Sequence, residues 1–171
     1  NPKKFNFTLI KKKLKSLKMR DLQKKSLLTD EVAISASILA KKKQIRSLVH
    51  KFQKKCAYSP PNLYSGSVLD GRDITSIQMR DAMFKFYITA NIKVRAIRRF
   101  KEYKSLKKKV SYKDVLKSLK KRDKSDKSRK YGPLKKTKDS ILINTTKLSR
   151  KRCFKKIKAI MDRKLNLNGN L

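Results

Sequence analysis

The sequence predicts an α/β fold, a layer of parallel strands flanked by helices. Three short runs read as strands: SVLD (residues 67–70), MFKFYITA (83–90) and SILINT (140–145). The second is mostly apolar, with aromatic and β-branched residues, as a buried strand is. After it and after the third, apolar residues recur at helical spacing behind capping residues. The order strand, helix, helix, strand, helix implies parallel strands in an α/β layer.

The elements follow in chain order. Residues 1–27 are basic with scattered apolar positions, and the alternation in FNFTLI (5–10) is compatible with a short strand without committing to one. Thr29, followed by Asp30 and Glu31, reads as a helix start, with Val32, Ser35, Ala36 and Leu39 at helical spacing. A second helix is expected from about Lys42 to Cys56, with Ile45, Leu48, Val49 and Phe52 on one face. SPPNLYSGS (59–67) is a loop. Beyond MFKFYITA, Asn91 caps a helix carrying Val94, Ile97 and Arg98. Ser111 and Asp114 form an approximate capping box for a helix with Val115, Leu116 and Leu119, which YGPL (131–134) breaks. Ser149 caps a last helix with Phe154, Ile157, Ile160, Met161 and Leu165.

Composition bounds the partners. The 171 residues carry 50 Lys plus Arg against 12 Asp plus Glu, a formal charge of +38, with 38% apolar and 36% charged residues. Such a charge attracts polyanions. Two readings fit it: a solvated, lysine-rich surface reflecting biased genome composition, or a basic RNA-binding or ribosome-associated protein. The quality of the charge is informative. Lysines, 38 of them, are smeared along the chain, whereas the 12 arginines are clustered. Arginine is the planar fork that grips phosphate or carboxylate with two bonds. No apolar stretch approaches the roughly 20 residues that cross a membrane, and no signal peptide is visible. Cys56 and Cys153 have no metal-ligand spacing, which fits a reduced, cytoplasmic setting. The chain has no initiator Met and begins inside a basic run, so it is expected to be processed or incomplete.

Three constellations carry candidate chemistry. GSVLDGRD (66–73) shares the G-x-x-x-x-G spacing of a phosphate-binding P-loop. It is not one: Ser67–Leu69 read as strand, Asp70 would put an anion among phosphate oxygens, and Asp73 stands where a hydroxyl is required. It reads either as a strand-end turn presenting Arg72 and Asp73 to a ligand or as a tight turn with an internal Arg–Asp pair. In RDKSDKSR (122–129), Arg122, Asp126 and Arg129 fall at i, i+4 and i+7 and share a face if the helix continues. That face suits a sugar's hydroxyls plus a phosphate, and equally a solvated ion-pair ladder. In VRAIRRF (94–100), Arg95, Arg98 and Arg99 lie on one helix, a weak signal by itself. The lone His50 sits among lysines, with no Ser/His/Asp or Cys/His set to support catalysis.

Together these pieces resemble the bacterial cytidylate kinases, nucleoside monophosphate kinases that phosphorylate CMP and dCMP. LLTDEVAISASILAKKKQIR (27–46) resembles the family's insert in its monophosphate-binding region, and VLDGRDI (68–74) its DGRD motif. FYITANIKVRAIRRFKE (86–102) is similar to its strand and Arg-rich lid helix, and VLKSLKKRDKSDKSRKYGPLK (115–135) to its R-D-x-x-D-x-x-R segment. The resemblance implies a P-loop NTPase-like parallel sheet core flanked by helices, with a monophosphate-binding insert and a lid. It places the binding region in 1–65 and the core in 66–171, with the lid at about 95–130. It implies that Ser37 and Arg46 contact the cytosine ring, Arg72 and Asp73 the phosphate and base of CMP, Arg122 and Asp126 the ribose hydroxyls, and Arg129 the phosphate. Arg95, Arg98 and Arg99 would be the lid that approaches ATP. Arg72, Arg129, Arg98 and Arg99 would stabilise the transferring phosphoryl group, and Mg²⁺ would come with ATP. A monomer acting on small-molecule substrates is expected, without membrane attachment or specific nucleic-acid binding. Departures are Leu28 for a usual Arg, Thr75 for a usual Gly and MRDA (79–82) for F-P-D-A. No G-x-x-x-x-G-K-[ST] occurs in the 171 residues. The family's N-terminal part, with its P-loop, is therefore expected to be missing, and the chain alone to be inactive.

Overall fold

Side-chain caps set most of the helix starts. Asn6 accepts the amide of Leu9 at 2.9 Å, Thr29 Oγ1 that of Val32 at 3.3 Å, and Asn91 Oδ1 that of Lys93 at 2.9 Å. Ser111 Oγ accepts the amide of Asp114 at 3.1 Å, and Ser149 Oγ that of Arg152 at 3.2 Å. Each hydroxyl or amide oxygen satisfies one of the amides a helix leaves unpaired at its start. The computed structural model describes residues 6–17, 19–22, 24–40, 42–60 and 62–168. It divides them between two compact units, Asn1–Gly71 and Arg72–Leu171.

The first unit is helical: α1 (Phe7–Lys15), α2 (Met19–Leu22), a 3₁₀ turn (Lys25–Leu28), α3 (Asp30–Leu39) and α4 (Lys43–Tyr58). α1 packs against α4, and α3 against the 3₁₀ turn. Ile45 on α4 is buried. The strand compatible with FNFTLI is not formed; Phe7–Ile10 open α1. A four-residue alternation yields to the longer stripe Ile10, Leu14, Leu17, which is half-buried at i, i+4, i+7. SVLD is not a strand either. Residues 67–70 carry no ladder partner among the described residues, and the Val68 side chain is 98% exposed.

The second unit begins with a single π-helical turn, Ile74–Gln78, and continues β1 (Phe86–Thr89), α5 (Ile92–Ser105), α6 (Tyr112–Ser128), β2 (Ile141–Asn144) and α7 (Arg150–Asn168). The strands pair in parallel with Phe86 opposite Ile141 and Thr89 opposite Asn144, as the sequence order implied. The strand expected over 83–90 is realised only over Phe86–Thr89. Lys85 O and Thr89 O accept the amides of Ile141 and Thr145 at 2.8 and 2.7 Å, which close the ladder at both ends. Ile143 is fully buried, while Ile88, Ile141 and Leu142 are exposed. The crossover is the α5–α6 pair. It packs Ala96 and Tyr103 against Val115, with Phe100, Val110, Tyr112, Leu116 and Leu119 around them. The Phe100 and Tyr112 rings meet edge to face, 6.3 Å apart. α5 ends in a Schellman turn: the amides of Lys107 and Lys108 donate to Lys104 O and Tyr103 O, with Lys107 at φ 56°.

Candidate functional site

One carboxylate organises the second unit's arginines. Asp126 lies near the end of α6, where helical spacing puts it on the same face as Arg122. Arg72 Nε donates to Asp126 Oδ2 at 2.8 Å, while Arg122 Nε stands 3.9 Å from that oxygen. Arg129 Nη1 is 3.8 Å from Asp126 Oδ1. The condition for a shared face, a helix that continues through Arg129, is not met: α6 stops at Ser128, and Arg129 caps it in an extended conformation (φ −64°, ψ 141°). Its side chain is turned back by a hydrogen bond from Nε to the carbonyl of Gly132. Gly132 sits at φ 59°, a left-handed conformation glycine takes at no steric cost, and the amide of Leu134 then donates to Asp126 O at 2.7 Å. YGPL thus folds back on the helix end and holds Arg129 beside Asp126. Three guanidiniums around one carboxylate leave an excess of positive charge, and fork-shaped donors are suited to phosphate.

Arg72 and Asp73 do not form the internal pair that a tight turn would make of them through Arg72 Nε, which goes to Asp126 instead. They also do not follow a strand. They precede the π-helical turn, in which Met79 N donates to Ile74 O at 2.7 Å. Asp73 is only 5% exposed, and Gln78 Nε2 donates to its Oδ1 at 3.3 Å.

The three α5 arginines go to three different places. Arg95 makes a two-pronged bond to Asp123, at 2.6 and 2.9 Å. That hydrogen bond raises the Arg95 pKa and lowers the Asp123 carboxyl below the usual carboxylate range. Arg98 Nη2 donates to Thr145 O and Leu148 O at 2.7 and 3.0 Å, tying α5 to the turn beyond β2. Arg99 pairs with Glu102 at 2.8 Å and lies over the Tyr103 ring, 4.5 Å from its centre. In the first unit, Arg46 Nη1 donates to Ala40 O at 3.5 Å, and its Nη2 lies 3.4 Å from His50 Nε2. Ser37 falls within α3, and its side chain lies outside the described residues.

The structure therefore gathers Arg72, Arg122, Asp126 and Arg129 into one cluster, and Asp123, the α6 partner of Arg95 on α5, lies one turn before Asp126. Sequence reasoning passed over Asp123 and Gln78. Asp123 sits one helical turn before Asp126, a spacing that signals a shared side. Gln78 stands between Ile77 and Met79 in a mixed run, ITSIQM, that marks no position out.

A model of the cytidylate kinase family matches residues 2–163. The chain belongs to the cytidylate kinase family. Cytidylate kinases from Clostridium botulinum (strain Loch Maree), Clostridium tetani and Azorhizobium caulinodans are similar to it. The first is 48% identical over 96 residues, covering 56% of this chain and 44% of the relative. The second is 42% identical over 125 residues, covering 72% and 50%. The third is 36% identical over 149 residues, covering 87% and 70%. The chain thus spans about half the length of several of the relatives it matches. Cytidylate kinase membership implies a P-loop NTPase-like α/β fold, and the helices and parallel strand pair of the second unit agree with it. Among the described residues, no helix is long and apolar enough to cross a membrane.

Proposed function

We propose that this chain is the CMP-handling part of a kinase that transfers a phosphoryl group from ATP to CMP or dCMP. The observation that carries the reading is the Asp126 cluster: one carboxylate ringed by Arg72, Arg122 and Arg129. A nucleoside monophosphate offers two vicinal hydroxyls, or one in the deoxy form, and a phosphate. Asp126 accepts from hydroxyls, Arg122 donates to them, and Arg72 and Arg129 neutralise the phosphate. Arg46, Ser37 and Asp73 are assigned to the base.

Phosphoryl transfer passes through a loose, negatively charged transition state, so catalysis is positioning plus cationic stabilisation. No side-chain nucleophile is required. Arg72 and Arg129 hold the acceptor oxygen in line. Arg98 and Arg99, with Arg95, are assigned to a lid that closes over ATP and excludes water. In this structure they are held by Thr145 and Leu148, by Glu102 and by Asp123, so closure requires those partners to be exchanged for phosphate. Mg²⁺ arrives on the ATP phosphates, as that ion usually does. Among the described residues, no group of three or more His, Cys, Asp and Glu gathers as a ligand set. We assign the ATP phosphates to a P-loop outside these 171 residues, since none occurs within them.

The test is protection from heat by nucleotides, followed by an ADP-release assay. Millimolar CMP is expected to raise the melting midpoint more than UMP or AMP. CMP-dependent ADP release is expected only when a P-loop segment is joined to the chain. Equal protection by all three nucleotides, or binding to RNA with a steep salt dependence and no base preference, overturns the reading in favour of a polyanion binder.

A further inference from the structure

The π-helical turn after DGRD holds two buried polar atoms that the proposed chemistry leaves unexplained. Gln78 is 5% exposed, and its Oε1 has no hydrogen-bond partner among the described residues; neither has the buried Oγ of Ser76. Buried polar atoms without partners are few in native proteins and cost stability. An apolar residue of similar volume at position 78 would avoid that cost. The other end of the same amide explains what glutamine does there: Nε2 donates to Asp73 Oδ1 at 3.3 Å, and Asp73 is equally buried. The reverse assignment of the amide would set Oε1 against a carboxylate oxygen, acceptor against acceptor.

The backbone is shaped for this contact. In an α-helix, residues five apart point about 140° away from each other. Here Ile77 and Gln78 both donate their amides to Asp73 O, at 2.9 and 3.3 Å, and Met79 donates to Ile74 O at 2.7 Å. The wider i→i+5 ring brings position 78 round to the side of position 73, and such turns recur at functional sites. We propose that Gln78 is a positioning residue that fixes the Asp73 carboxylate for reading cytosine. This rests on the assignment of Asp73 to the base. An ionised carboxylate only accepts hydrogen bonds. Cytosine presents an exocyclic amine donor where uracil presents an acceptor, so a carboxylate held in one orientation welcomes the first and repels the second. A carboxylate that has lost one of the donors fixing it discriminates less.

The experiment measures CMP and UMP binding by titration calorimetry, together with melting midpoints, on the protein in the form its gene encodes. The variants are Gln78→Leu, Asp73→Asn and the double variant, with Gln78→Met in place of Gln78→Leu should the latter not fold. Gln78→Leu is expected to lower the CMP-over-UMP preference about tenfold, the scale of one hydrogen bond to a charged group. Its melting midpoint should change little, because losing the unpaired acceptor offsets losing the hydrogen bond to the buried Asp73. Adding Gln78→Leu to Asp73→Asn should cost no further preference. A Gln78 variant that keeps full preference while Asp73→Asn loses it overturns the proposal and spares the assignment of Asp73. An Asp73→Asn variant or a wild-type protein with unaltered or no discrimination, respectively, overturns that assignment and the proposal together. A Gln78 variant that lowers the melting midpoint and leaves preference intact shows a purely structural residue, which also overturns it.

Discussion

Arg72 Nε and Asp126 Oδ2 are joined at 2.8 Å across 54 residues of sequence. The pair fastens the segment before the π-helical turn to the C-terminal end of α6, and both side chains are partly shielded, Asp126 to 17% exposure. Removing the carboxylate would leave Arg72, Arg122 and Arg129 facing one another without the charge they share. Breaking a shielded pair from one side costs more than the pair contributes, because the remaining charge is left uncompensated. Asp126→Ala should therefore lower stability by about 1–3 kcal/mol, below the cost at a fully buried pair. Chemical denaturation of the variant checks this, and a loss under about 0.5 kcal/mol would put the pair among ordinary surface contacts.

Arg129 differs from a generic cation by its fixed fork. Its Nε is turned to Gly132 O and its Nη1 faces Asp126. Lysine at 129 keeps the charge but cannot make both contacts or grip a phosphate with two bonds. In the enzyme with its P-loop segment present, Arg129→Lys should slow CMP phosphorylation about a hundredfold, as losing about 2–3 kcal/mol of transition-state stabilisation does. Steady-state kinetics decide: kcat/KM within a factor of three of wild type removes Arg129 from the phosphate site.

What the sequence disclosed follows the range of the interactions involved. Thr29, Asn91, Ser111 and Ser149 were readable as helix starts because a cap is a hydrogen bond two or three residues long. The parallel pairing of 86–89 with 141–144 was readable because the helical segments between them demand a crossover. SVLD was misread because a strand exists only if a partner meets it, and nothing local reports the absence of one. FNFTLI is ambiguous on its own, because its alternation is shorter than the Ile10–Leu14–Leu17 stripe that overrides it. The Arg72–Asp126 bond lies beyond any spacing rule. The two ends of the cluster are singled out separately, by GSVLDGRD and by RDKSDKSR, and no pattern joins them. Gln78 was invisible for a sharper reason: its contact with Asp73 exists because the turn is π rather than α, and no residue pattern here announces that.

Lys107 occupies the left-handed position after α5 at φ 56°, where glycine is the usual residue. A side chain in that conformation is strained by about 1 kcal/mol, partly offset by the smaller unfolded-state entropy it brings. Lys107→Gly keeps both closing bonds, to Lys104 O and Tyr103 O, and leaves Lys108 over the Tyr103 ring. The variant should gain about 0.5 kcal/mol, raising the melting midpoint by about 1–2 °C. A lower midpoint would mean that the lysine side chain contributes more to the turn than its backbone strain costs.

The Arg95–Asp123 pair gives stability an acid dependence of defined sign. The hydrogen bonds from Arg95 hold the Asp123 carboxyl below its ordinary value, and Lys127 and Arg72 act in the same direction. The folded protein therefore binds this proton less readily than the unfolded chain. The contribution is complete above the unfolded pKa, near 4, and is lost as pH falls through the lower folded value. Asp139, held at about 2 by Lys85 and Thr137, adds a dependence of the same sign at the surface. Because both partners of the Arg95–Asp123 pair are about a third exposed, solvent screening keeps its worth near 1 kcal/mol at neutral pH. Asp123→Asn should cost about that much at pH 7 and progressively less below pH 4, so the melting curves of variant and wild type should converge on acidification. Melting midpoints from pH 7 down to pH 2.5, at constant ionic strength, provide the comparison. A difference that stays constant across the range would show that Asp123 acts through shape rather than charge. One that widens on acidification would reverse the sign argued for its pKa.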